Sequence, residues 1–136
     1  MRINARRVCL MLATMAIVVF AVNVVRAQDD TTPKKRLRNS ATAKGEIGGE
    51  SHDSYVIRVR KGQTLTVDIS WQRKEDNRAE FTVSESSNFF NAAQVGFGDI
   101  SDDGKRWSGK IPETKDYYIY VVGHPIARYK LRITVK

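Results

Sequence analysis

The sequence predicts an all-β protein, an antiparallel sandwich of about seven or eight strands. Three observations carry this: apolar residues recur with period two over most of the chain after residue 40, turn-forming residues punctuate the runs, and no segment has the spacing of an amphipathic helix. In a strand, successive side chains point to opposite faces, so each alternating run divides into one buried and one wet row.

The first element is Ala41 to Ile47, closed by Gly48-Gly49. Tyr55, Ile57 and Val59 then alternate with Val56, Arg58 and Arg60. Beyond Lys61-Gly62-Gln63, the residues Leu65, Val67, Ile69 and Trp71 alternate with Thr64, Thr66, Asp68 and Ser70. These two runs read as a hairpin, with Gly62 free to take a positive φ. Phe81 and Val83 mark a short strand, and Gln94 to Gly98 is a candidate for another. Trp107, Gly109 and Ile111 share a face until Pro112 ends the run. Tyr117, Ile119 and Val121 follow on one face, with Tyr118 and Tyr120 on the other. Tyr129, Leu131, Ile133 and Val135 close the pattern, opposite Arg128, Lys130, Arg132, Thr134 and Lys136.

Residues 1–27 read as a signal peptide, not as part of the fold. Arg2, Arg6 and Arg7 precede an uncharged, mostly apolar run from Val8 to Val25, and Val25-Arg26-Ala27 offers small residues where a signal peptidase cuts. An uncleaved anchor competes, because the run reaches the lower limit of a membrane span, about 17–25 residues. Asn23 and the Ala27 site favour cleavage, and with it a periplasmic or secreted protein. Without the leader, Lys plus Arg falls from 23 to 19 while all 15 acidic residues remain, so the net charge drops from +8 to +4. That balance gives solubility without a nucleic-acid signature, and no membrane contact beyond the leader is expected. Residues 28–39 read as a disordered polar leader that includes the basic run Lys34-Lys35-Arg36-Leu37-Arg38, and residues 40–136 as the sandwich domain.

The residue types for catalysis are sparse. Cys9 is the only cysteine and lies in the leader, so the domain has no disulfide, thiolate nucleophile or cysteine ligand. Ser51-His52-Asp53 are neighbours on an extended segment and point different ways, so they make no triad. Asp99 to Gly104 has the oxygen-rich start of a calcium loop, but Lys110 stands where a bidentate glutamate would close it. A polar turn explains the same residues. Asp and Glu fall mostly in turns or on wet faces, and nothing pairs them as glycoside cleavage would require. The expectation is a non-enzymatic binding protein with no metal and no cofactor.

Gly45-Glu46-Ile47-Gly48-Gly49, Asp53 to Val59 and Lys61 to Val67 resemble the first half of the periplasmic g-type and i-type lysozyme inhibitors, a half shared with bacterial pre-peptidase C-terminal domains. Glu80 to Val83, Trp107 to Glu113 and Asp116 to Val121 extend the likeness. The inhibitor resemblance implies a sandwich whose end loops plug a lysozyme's substrate cleft through a Ser-Gly-x-Tyr segment and an arginine-rich loop. Here the first segment reads Thr114-Lys115-Asp116-Tyr117, keeping only the tyrosine. The second reads Gly123-His124-Pro125-Ile126-Ala127-Arg128, with one arginine. The implied contact set is Lys115, Tyr117, His124 and Arg128, with Arg128 or His124 facing a catalytic carboxylate and Tyr117 giving rigid contact area. The alternative is an accessory module for cell-wall polysaccharide or another secreted protein. Tyr118 and Tyr120 would then form an exposed aromatic row on a sheet face.

Overall fold

A computed structural model describes residues 28–136, so the segment 1–27, expected to be a signal peptide, lies outside the described residues. Nine strands follow in chain order: β1 (Lys34–Leu37), β2 (Ala41–Gly48), β3 (Asp53–Val59), β4 (Thr64–Trp71), β5 (Arg78–Ser84), β6 (Gly98–Ile100), β7 (Arg106–Lys110), β8 (Lys115–His124) and β9 (Ile126–Val135). They form two facing sheets, one ordered β1-β3-β8-β5 and the other β2-β9-β4-β7-β6. Every pairing is antiparallel except β1 with β3. Among the described residues, no helix is long and apolar enough to cross a membrane.

The period-two rows meet between the sheets. Tyr55, Ile57 and Val59 of β3 and Tyr117, Ile119 and Val121 of β8 face Leu65, Val67 and Ile69 of β4 and Tyr129, Leu131 and Ile133 of β9, all buried. Each fully buried aliphatic side chain contributes about 1.5–3 kcal/mol before chain entropy is charged against it. Trp107 fills the flank of this core, and Gly98 and Gly109 leave the room for its indole.

Three expectations are corrected. The runs before and after Gly62 do not pair as a hairpin: β3 and β4 lie in different sheets. Both runs bury a full apolar row, and the turn at Gly62 (φ +90°) swings the chain across the core, held by Gly62 N–H donating to Ile111 O at 2.8 Å. The basic run at 34–37 is not a free leader. It adds a parallel strand to β3, with Lys34 opposite Ser54 and Leu37 opposite Ile57, and Arg36 pairs with Asp116 at 3.0 Å. Residues 94–97 form no strand. Their irregular path still shields β5, because Val95 N–H donates to Val83 O at 2.9 Å and Gln94 Oε1 accepts from Val83 N–H at 3.1 Å.

At Gly123 the last turn of β8 crosses the end of β2. A Cβ there would stand 2.2 Å from the Ile47 carbonyl oxygen, so only a glycine fits without backbone movement. This contact brings the chain round the corner at His124-Pro125 from one sheet into the other.

Candidate functional site

Strand direction sorts the expected contact residues. β8 runs ten residues from Lys115 to His124, about 30 Å at the rise of a strand. Lys115 and Tyr117 therefore sit at one end of the sandwich, and His124 and Arg128 at the other. The two segments cannot enter one cleft together.

At the first end the side chains are already engaged. The Lys115 ammonium lies 3.0 Å from Glu113 and 3.2 Å from Glu85, and hydrogen bonds to both carboxylates raise its pKa. Tyr117 is buried, its hydroxyl donates to Glu113 O at 2.8 Å, and burial raises its pKa. The expected aromatic row is also covered. Tyr118 is half-buried and stacks on Tyr120 at 6.4 Å, but Tyr120 is 1% exposed and donates to Ser86 O at 2.6 Å. Burial, with the nearby Asp30 charge, pushes its hydroxyl up to about 12.

What covers Tyr120 is a polar cluster on the outer face of the four-stranded sheet. Phe89, in the 3₁₀ turn Phe89–Asn91, stacks on the His52 ring at 3.9 Å and meets Tyr120 edge-on at 5.5 Å. His52 Nε2 lies 3.0 Å from Asp30 Oδ1, and the Asp30 side chain is 1% exposed. The carboxylate also accepts the backbone N–H of Thr32 at 3.0 Å and of Phe89 at 3.2 Å. Burial alone would raise this acid. The amide donors and the His52 charge outweigh it and hold the pKa at about 2. His52 is thus an anchor for the amino-terminal segment. Ser51 is exposed and Asp53 accepts a hydrogen bond from the Tyr129 hydroxyl, so the adjacent trio is spatially dispersed.

The end carrying His124 and Arg128 is built differently. The β4–β5 connection, residues 72–77, is clamped by Asn77. Its Nδ2 donates to Gln72 O at 2.9 Å and to Ile126 O at 3.3 Å, while its Oδ1 accepts Lys74 N–H at 2.9 Å. Gln72 N–H donates to Arg128 O at 3.0 Å, and the Trp71 indole donates to Asn77 O at 3.1 Å. One amide side chain thereby joins the connection to the β8–β9 corner as a single preformed projection. Arg73, Lys74, His124 and Ile126 stand exposed on it, Ile126 at 58%. Arg128 is held against Glu46 by an ion pair, which raises its pKa. His124 lies 3.7 Å from Glu80.

Beside the projection a cleft of about 550 Å³ opens between β5 and the β6–β7 turn, lined by Trp71, Arg78, Glu80, Phe81 and Lys105. The Lys105 ammonium sits 4.9 Å above the Trp71 ring. The oxygen-rich stretch before it is a turn: Gly104 has φ +68°, and Asp103 accepts Ser101 Oγ–H at 2.6 Å and Lys105 N–H at 3.0 Å. Among the described residues, no three His, Cys, Asp or Glu side chains gather to hold a metal.

Sequence reasoning missed Trp71, Arg73, Lys74 and Asn77. The available signal was the polar run Gln72 to Asn77 between two strands, ending in an asparagine suited to bonding its own backbone.

No family model matches the chain, and no curated protein does. Solved structures do. The Aeromonas hydrophila PliG, a periplasmic lysozyme inhibitor of g-type lysozyme, is 23% identical with a TM-score of 0.57, over 76% of this chain and 100% of that one. The Salmonella Typhimurium PliG is 22% identical with a TM-score of 0.51, over 75% and 99%. The pre-peptidase C-terminal domain of Bacillus anthracis collagenase is 20% identical with a TM-score of 0.53, over 80% and 100%. The likeness read from the sequence thus holds at the level of fold: this chain shares the sandwich of both groups.

Proposed function

We propose that the chain is an exported, non-enzymatic binding protein of the periplasm that inhibits a lysozyme, g-type first, by seating its Asn77-clamped projection in the substrate cleft. The observation that carries this reading is the clamp itself. A segment held in its bound shape before contact avoids the ordering cost that weakens flexible binders. Glycoside-cleaving clefts carry paired carboxylates, and exposed Arg73 and Lys74 offer them charge-assisted hydrogen bonds, while Arg128 braces the base of the projection through Glu46. Ile126 and Pro125 add apolar contact at the tip, and His124 borders them. The fold likeness to two PliG inhibitors, each covered almost end to end, supports the choice of target.

The accessory-module reading loses its distinguishing feature, since Tyr120 is covered and Tyr118 stands without its partner.

The test is inhibition of g-type, c-type and i-type lysozymes by the purified, processed protein. Inhibition of the g-type enzyme at micromolar concentration or below is expected. Asn77→Ala should weaken it about tenfold by loosening the projection, and Arg73→Ala with Lys74→Ala about tenfold or more. Lys115→Ala, at the opposite end, should leave it unchanged. Absence of inhibition of any lysozyme at that concentration removes the proposal.

A further inference from the structure

The outer face of the five-stranded sheet adjoins the projection at Glu46 and Arg128 and extends away from it along β9 to Lys136. We infer that this face docks the protein on an anionic phospholipid surface.

The cross-strand register places the outward side chains in rows. Lys136 and Lys110 flank Thr64 in the first row. Thr134, Thr66, Ser108 and Asp99 form the second, with Thr66 Oγ and Ser108 Oγ 2.9 Å apart. Arg132 lies between Thr42 and Asp68 in the third, with Arg106 beyond. Lys44, Lys130 and Ser70 make the fourth, and Glu46 with Arg128 the fifth. No outward side chain on these rows is apolar.

Seven cations against three acids give this face +4, the whole net charge of residues 28–136; the other twelve cations and twelve acids cancel. Arg106 and Arg128 are paired with Asp68 and Glu46. Among the described residues, Lys44, Lys110, Lys130, Arg132 and Lys136 have no acidic partner within 4 Å, and all five are exposed. A net charge that looks mild averaged over the molecule is thus concentrated on one side.

The layout selects the occupant. The five free cations spread about 20 Å along β9 and about 14 Å across from β2 to β7. That is an area of charge, not a track, and it matches the two-dimensional array of lipid phosphates better than a single polymer strand. Single-stranded nucleic acid would want aromatic side chains for stacking, and the rows supply none. With nothing apolar to insert, attachment is electrostatic, confined within about 8–10 Å of the surface at physiological salt, and reversible by salt.

Cosedimentation of the processed protein with vesicles tests this. Vesicles of phosphatidylglycerol mixed with phosphatidylcholine should bind it at low salt, and vesicles of phosphatidylcholine alone should not. Lys130→Glu with Arg132→Glu should cut binding at least about tenfold. Arg60→Glu with Lys61→Glu, the same charge change in the β3–β4 turn, should cut it by less than about a factor of three. Lys130→Gln with Arg132→Gln serves if the reversed pair misfolds by circular dichroism. Equal losses from both pairs would reduce the effect to net charge and overturn the proposal. So would no binding to anionic vesicles, or binding to soluble polyphosphate while anionic vesicles are left unbound. Lysozyme inhibition should be unaffected by Lys130→Glu with Arg132→Glu, which separates this inference from the inhibitory reading.

Discussion

Asp30→Ala is expected to cost about 3 kcal/mol or more, because three hydrogen-bonding groups lose their acceptor at about 1–3 kcal/mol for each buried group left unsatisfied. The His52 ring would keep its burial and lose its hydrogen-bond partner, and the N–H groups of Thr32 and Phe89 would lose their acceptor. For a domain of this size, each kcal/mol lowers Tm by roughly 4–8 °C, so thermal unfolding should shift down by at least about 12 °C. The carboxyl also fixes a pH dependence. Its folded pKa of about 2 lies below the ordinary 3.8, so its contribution is present above about pH 4 and is lost as pH falls toward 2. The shift corresponds to roughly 2–3 kcal/mol. Urea midpoints between pH 5 and 2 should fall steeply for the native chain and much less for Asp30→Asn. Parallel slopes would show that the acid loss comes from other groups.

Gly123→Ala should destabilise by about 3 kcal/mol, although it adds a single methyl. The neighbour at 2.2 Å is the Ile47 carbonyl oxygen, which cannot rotate away as a flexible side chain would. Either β2 or the end of β8 must shift, and the β8–β9 corner shifts with it. Chemical denaturation should therefore report a lower midpoint, and lysozyme inhibition should weaken more than the stability loss predicts. A midpoint within about 0.5 kcal/mol of the parent's would mean that β2 yields easily.

The core was legible because it is written in period two. Leu65, Val67, Ile69 and the row from Tyr129 to Ile133 point inward as their alternation requires. Alternation says nothing about which strand lies beside which, so the turn at Gly62 passed for a hairpin when it is a crossing between sheets. β1 was hidden because Lys34-Lys35-Arg36-Leu37 carries no apolar rhythm; an edge strand needs only its backbone to pair. The two faces of Tyr117 to Tyr120 were assigned correctly, but the lid over Tyr120 comes from Phe89 and from His52, distant in sequence. The site suffered most. His124 and Arg128 were identifiable as neighbours of a corner, whereas Asn77 acts through backbone carbonyls that no pattern of residue types reveals.

The charged strand at the amino-terminal side has one more consequence. β3 is rich in buried apolar residues, and β1 occupies the row of N–H and C=O groups along its free side. A chain trimmed to begin at Ser40 would present that row bare, as a template for a neighbouring molecule's strand. Such a truncate should scatter more light through self-association than the untrimmed domain, whose β3 edge is covered by lysines and arginine.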